Sequence, residues 1–146
     1  MNETIKQFNY PESLIKEFNS WVVLLRPQQI TLGSLVLACK GEYSSLAEVP
    51  AETYAELTEV IGQLEQTLKN LFKFDKINYL LLMMRDKYVH FHVIPRYAGP
   101  RKVFDMELTD MTWPMPPDIT KPLAISSEDI SRLTTLLRDN WATSAK

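Results

Sequence analysis

One stretch of the chain, Tyr88-Val89-His90-Phe91-His92-Val93-Ile94-Pro95-Arg96, constrains the fold more than any other. Apolar residues alternate there with an aromatic hydroxyl and two imidazoles, and alternation by twos is the period of a β-strand. Val89, Phe91 and Val93 therefore share the face that packs on a core. Tyr88, His90 and His92 share the opposite face. Pro95 has no amide donor and is expected to end the strand. These are the only two histidines in the chain, and both are spent on one face of one strand, which marks that face as a working site.

The flanking segments supply the rest of an architecture. Residues 21–25, Trp-Val-Val-Leu-Leu, are bulky and β-branched and stop at Arg26-Pro27, the pattern of a buried strand. A turn at Leu32-Gly33-Ser34 leads into a second strand over residues 35–39. A short helix is expected at residues 13–18. From Ala51 to Phe72 the period changes: Leu57, Val60, Ile61, Leu64, Leu68, Leu71 and Phe72 recur at three- and four-residue spacing, the stripe of an amphipathic helix. Acidic residues crowd its first half and Lys69 and Lys73 its end, as the helix dipole favours. Residues 76–84 are apolar on both faces in their second half and predict a central strand. Arg85-Asp86-Lys87 then makes a tight connection into the histidine strand, giving an antiparallel hairpin.

Residues 97–122 are rich in proline yet apolar, a composition suited to packing across a surface rather than to a solvated linker. Ser126, with Asp129 three residues on, caps a last helix whose buried stripe is Ile130, Leu133, Leu136, Leu137 and Trp141. The order of elements predicts an α+β domain over residues 1–146: an antiparallel sheet covered by one long helix, with its core at about 20–100 and a C-terminal extension over 101–146.

Composition narrows the partners. A length of 146 residues suits one domain, and a net charge of −2 gives no broad basic surface for a nucleic-acid polymer. The single Cys39 rules out an internal disulfide and fits a reducing compartment. The polar start at Met1-Asn2-Glu3-Thr4 has no secretory apolar core, and no apolar run reaches membrane-spanning length. A soluble, cytoplasmic protein with no membrane partner is the expectation.

Two chemistries suit paired imidazoles on a strand. A metal ion accepts two such ligands, but a stable zinc site needs three or four protein ligands. Cys39 is alone and no acidic residue shares the strand face, so no metal site is assigned. Alternatively, a neutral imidazole attacks phosphorus and forms a phosphoramidate, dividing one hard displacement into two easier ones. The ring must then be oriented through its other nitrogen, and a neighbouring donor must meet the phosphate charge.

Tyr-Val-His-Phe-His-Val-Ile-Pro-Arg resembles the histidine triad motif, with the Pro-Arg that follows it in the dinucleoside polyphosphate hydrolase branch. The similarity covers about residues 20 to 100, through the order and spacing of strand, turn, strand and long helix. The resemblance implies a homodimer acting on phosphate-linked nucleotides, diadenosine tetraphosphate being the leading example. It implies no obligatory protein-bound metal, any divalent ion arriving with the substrate's phosphates. His90 aligns with the family's nucleophile and His92 with the histidine that contacts the phosphate and bridging oxygen. Tyr88 stands in place of the first histidine, whose backbone carbonyl orients the nucleophilic ring. Ser34 replaces a further histidine, and Arg26 stands where an Asp or Asn touches the ribose, placed to grip a phosphate instead. Met83 and Met84 fall near the position where the family often has a Gln contacting phosphate. Arg96 and Arg101 follow the motif, beside the expected path of a polyphosphate tail. Substrate-binding roles are thus expected of Tyr88, Arg26, Ser34 and Arg96, and catalytic roles of His90 and His92. These departures from the motif also allow a second reading, a nucleotide-binding module with little or no catalysis.

Overall fold

The computed structural model describes residues 1–143. Strands β1 (Leu14–Glu17), β2 (Trp21–Leu25), β3 (Leu35–Cys39), β4 (Lys76–Leu80) and β5 (His90–Arg96) form one antiparallel sheet in the order β1-β2-β3-β5-β4. Three helices, α1 (Glu3–Gln7), α2 (Ala51–Phe72) and α3 (Ser127–Asp139), pack around it, and β6 (Arg101–Val103) and β7 (Met106–Leu108) make a separate hairpin. The architecture is α+β, as the sequence predicts.

The two faces of the sheet bury different things. Trp21, Val23, Leu25, Leu35, Leu37, Cys39 and Val93 face one way, against Val60, Leu64, Leu68 and Phe72 of α2 and Leu133 and Leu137 of α3. Trp21 also donates from Nε1 to the Thr53 carbonyl at 2.9 Å, which ties the start of α2 to the sheet. Val22, Leu24, Val36 and Ala38 face the other way, beneath Ile5 and Phe8. Both β2 and β3 are consequently buried along their whole length, which is why they read as continuous apolar runs rather than alternating ones.

The long helix occupies the span its stripe predicts. Lys73 ends it in a left-handed conformation (φ 55°), its amide donating to the Lys69 carbonyl. Ser126 caps α3 as expected, accepting from the Asp129 amide at 3.1 Å. Gly33 is needed in the β2–β3 turn: it has φ 83°, and a Cβ there would meet the Phe72 ring at 3.0 Å.

Four local expectations are corrected. Residues 14–17 form an edge strand, not a helix, because pairing with β2 overrides a weak local signal. The N-terminal helix α1 went unseen because five residues are too few to show a period. Strand β4 is an edge strand that stops at Leu80 rather than a central one reaching Met84, and β5 lies between it and β3. The connection from β4 to β5 is therefore longer than a tight hairpin turn, and Met84 within it is 85% exposed. Lastly, β5 runs on through Pro95 to Arg96, with Pro95 opposite Ile77.

The proline-rich segment packs on the sheet through one buried ion pair. Arg96 Nε and Asp110 Oδ2 are 2.7 Å apart, with a second bond at 3.2 Å, and both side chains are almost fully buried. Asp110 also accepts from the Tyr97 and Thr112 amides. Burial alone would raise its pKa, but these bonds outweigh burial and hold the carboxyl below its usual range. The remaining Arg96 donors reach Asn78, Thr112 and the Met115 carbonyl. Removing one partner strands the other charge without water. Asp110→Ala should destabilise the fold by about 3 kcal/mol in urea unfolding. A loss below about 1 kcal/mol would show that the pair does not hold this segment.

Candidate active site

The register of β5 positions the two histidines. His90 lies opposite Ala38 and His92 opposite Val36, so both rings project from the face that α1 covers. Val89 and Val93 turn into the α2 side of the core, as the alternation predicts. The rings stand edge to face with centroids 5.1 Å apart. Phe8, at the end of α1, packs against both, 5.5 Å from His90 and 5.9 Å from His92.

Two polar contacts hold α1 there. Asn2 caps the helix by accepting from the Ile5 amide, and its Nδ2 donates to the Cys39 carbonyl at 3.0 Å, at the end of β3. Thr4 Oγ1 accepts from the Tyr88 amide at 3.1 Å. The helix thus fastens to both strands that frame the histidines.

Each ring is oriented through its Nδ1. His90 Nδ1 lies 2.7 Å from the Tyr88 carbonyl. A carbonyl only accepts, so Nδ1 carries the proton, and in the neutral ring Nε2 then keeps a free lone pair. His92 Nδ1 accepts from Arg26 Nε at 3.3 Å. Burial chiefly, with the charge of Arg26 and then His90, pulls the His92 pKa down to about 4, so the ring is neutral at physiological pH.

Arg26 reaches this position from the turn that follows β2. Gln29 organises the turn, its amide nitrogen donating to the Arg26 and Ser34 carbonyls and its oxygen accepting from the Gly33 and Ser34 amides. The second Arg26 bond is from Nη1 to the Gln28 carbonyl at 2.6 Å. Arg26 is only 9% exposed, and burial lowers its pKa. Among the described residues no carboxylate pairs with it.

These groups open onto a cleft of about 480 Å³. Its walls are Gln7 and Phe8 from α1, Arg26 and Gln28 from the β2–β3 turn, residues 82–86 from the β4–β5 connection, and Ile119 and Thr120 from the proline-rich segment. Met83 holds φ 48° in that wall. Among the described residues no three of His, Cys, Asp and Glu gather as metal ligands.

Of the six predicted site residues, His90, His92 and Arg26 come together at the cleft. Tyr88 lies before the strand begins and supplies its carbonyl, while its ring packs under Lys87 Nζ outside the cleft. Ser34 is fully buried in the turn and bonds Thr31, so it does not reach the cleft. Arg96 is consumed by Asp110 and the proline-rich segment, and Arg101 bonds carbonyls at Phe72 and Lys73. The proline-rich segment does border the site, through Ile119 and Thr120. Phe8, Gln28, Arg85 and Asp86 were not foreseen; only the cap residue Asn2 ahead of Glu3 signalled the helix that delivers Phe8.

The depressed pKa of His92 makes stability depend on pH. Between the ordinary imidazole value and about 4 the unfolded chain binds a proton that the folded chain refuses, so stability falls as pH drops through that window. Between about pH 7.5 and about pH 4 the wild type should lose roughly 2–3 kcal/mol more than His92→Gln in urea unfolding. Equal losses in the two proteins would contradict a neutral, buried His92.

No protein-family model matches the chain, and no curated protein matches it. Solved structures do. A histidine triad protein from Bradyrhizobium japonicum superposes with a TM-score of 0.71 at 20% identity, covering 97% of this chain and 97% of that one. A histidine triad protein from Sinorhizobium meliloti gives 0.71 at 19% identity over 96% and 95% of the two chains. The diadenosine triphosphate hydrolase of Plasmodium falciparum gives 0.63 at 11% identity over 88% and 76%. The sheet order and the covering helix thus make up a histidine triad fold.

Proposed function

We propose that this chain is a nucleotidyl hydrolase or transferase of histidine triad type, working through a covalent nucleotidyl-His90 intermediate. The observation that supports this reading best is the hydrogen bond from His90 Nδ1 to the Tyr88 carbonyl, which leaves the Nε2 lone pair free on a cleft-lining ring beside His92 and Arg26. Tyr88 thereby does what the missing first histidine would do through its backbone.

In the reaction, the Nε2 pair attacks the α-phosphorus and a P–N bond forms. The bond from phosphorus to the bridging oxygen breaks, and its electrons leave with that oxygen. The ring becomes cationic, and the Tyr88 carbonyl stabilises it through Nδ1–H. Water then attacks the same phosphorus, the P–N pair returns to Nε2, and the water's proton passes to solvent. Arg26, buried without a carboxylate, is a cation that a phosphate would complete.

A dinucleoside polyphosphate such as diadenosine tetraphosphate is the leading substrate, supported by Pro95-Arg96 after the motif and by the similarity to the Plasmodium falciparum diadenosine triphosphate hydrolase. Any divalent ion would arrive with the phosphates. A cytoplasmic homodimer is part of the proposal: among the described residues β4 leaves one edge unpaired beside the exposed Leu82 and Met84, a surface that a second copy would cover. The alternative, a binding module without catalysis, is favoured by the near-complete burial of both rings under Phe8, with His90 2% and His92 7% exposed.

Intact-protein mass spectrometry after brief mixing with diadenosine tetraphosphate separates the two. A transient gain of one AMP unit in wild type, absent in His90→Gly, is the expected result. Binding with no adduct and no released nucleotide would favour the module. His90→Ala should lose at least ~10³-fold of turnover, and near-normal turnover in that variant would end the nucleophile assignment.

A further inference from the structure

The two site histidines meet opposite kinds of partner. His90 Nδ1 faces a carbonyl, which only accepts, whereas His92 Nδ1 faces a guanidinium, which only donates. Adjacent rings are thus written as opposite tautomers: His90 with a bare Nε2, His92 with a bare Nδ1 and its proton on Nε2. We propose that Arg26 is a positioning residue that locks His92 as a neutral hydrogen-bond donor, so that the cleft expels only leaving groups that depart as stable anions. This rests on the hydrolase reading and extends it to the class of bond broken.

The chemistry follows from what His92 has to give. A neutral imidazole donates a hydrogen bond from Nε2 to a phosphoryl or bridging oxygen and so stabilises charge there. Surrendering that proton would leave an imidazolate, an unstable product in a site this buried. To act as a proton donor the ring would first have to become imidazolium, with its second proton on Nδ1. That position is occupied by the Arg26 Nε–H, and a second N–H pointing at it would set donor against donor. The other charged groups lining the cleft, Arg85 and Asp86, come from the β4–β5 connection, and neither hydrogen-bonds the His92 ring among the described residues.

When His90 attacks phosphorus, the electrons of the broken P–O bond must therefore be held by the leaving oxygen alone. A phosphate or polyphosphate chain, or an acidic phenol, holds them readily. A weakly acidic phenol or an alkoxide does not. Arg26 is well placed for this role because the Gln29-centred turn fixes its backbone and the Gln28 carbonyl holds Nη1, leaving Nε aimed at His92.

Two measurements test the lock. Long-range ¹H–¹⁵N NMR on imidazole-labelled protein should show His90 protonated at Nδ1 and His92 at Nε2. In Arg26→Met, His92 should shift toward a tautomer mixture or imidazolium, and Arg26→Lys, which keeps a donor, should restore part of the wild-type pattern. The second measurement uses AMP aryl esters with phenols of graded acidity. In wild type, kcat/KM should fall at least about fivefold per unit rise in leaving-group pKa, the steep dependence of a departure without proton donation. Arg26→Met should lower turnover of the most acidic phenols yet flatten that slope. A His92 protonated at Nδ1 in wild type, or an unchanged slope in Arg26→Met, would overturn the proposal. If no ester is turned over, the hydrolase reading fails and the leaving-group half fails with it, while the spectrum still decides the tautomer half.

Discussion

The pairing of β5 with β3 is the constraint on which the rest of this structure depends. His90 opposite Ala38 and His92 opposite Val36 set which way every side chain of β5 points. A slip of one residue would send both imidazoles into the apolar core under α2 and bring Val89, Phe91 and Val93 out onto the cleft side. The cost of burying two unpaired imidazoles in that core, with the loss of three apolar contacts, is what holds the register. The long helix and the cleft are two consequences of one alternation.

Two arginines show how burial is used differently within one fold. Arg96 and Arg26 are both largely removed from water. Arg96 has a carboxylate on it and spends its remaining donors on Asn78, Thr112 and Met115, which makes it the clamp that lays the proline-rich segment across the sheet. Among the described residues the Arg26 guanidinium has only the Gln28 carbonyl and a histidine nitrogen. A buried guanidinium with its charge uncompensated costs stability. The sequence shows both residues next to a proline, Arg26 before Pro27 and Arg96 after Pro95, and does not tell them apart.

Legibility in the sequence followed the length and regularity of each signal. Helix α2 was readable because seven apolar positions recur at three- and four-residue spacing from Leu57 to Phe72. Strands β2 and β3 were readable because they are buried on both faces. Helix α1, with five residues, has no period to read, and β1 is a strand because β2 lies beside it. The apolar tail of residues 81–84 looked like more strand; instead Leu81 packs against the core while Leu82, Met83 and Met84 line the cleft, where Met83 adopts a left-handed backbone. Apolar composition reports burial somewhere, not the partner that buries it.

By itself the sequence determined that two imidazoles share one face of a strand, that a long helix covers the other face, and that the strands around them form an α+β sheet. These follow from periodicity, which is local. Only the tertiary structure decided what each imidazole touches. The Tyr88 carbonyl on His90 is a neighbour in the chain, but Arg26 on His92 and Phe8 over both rings come from a turn and a helix end brought there by packing. The same packing removed Ser34 and Arg96 from the cleft, since each found a nearer partner. Hydrogen bonds are directional and short, so a residue's chemistry is set by the one or two groups within about 3 Å of it, and those groups are chosen by the fold.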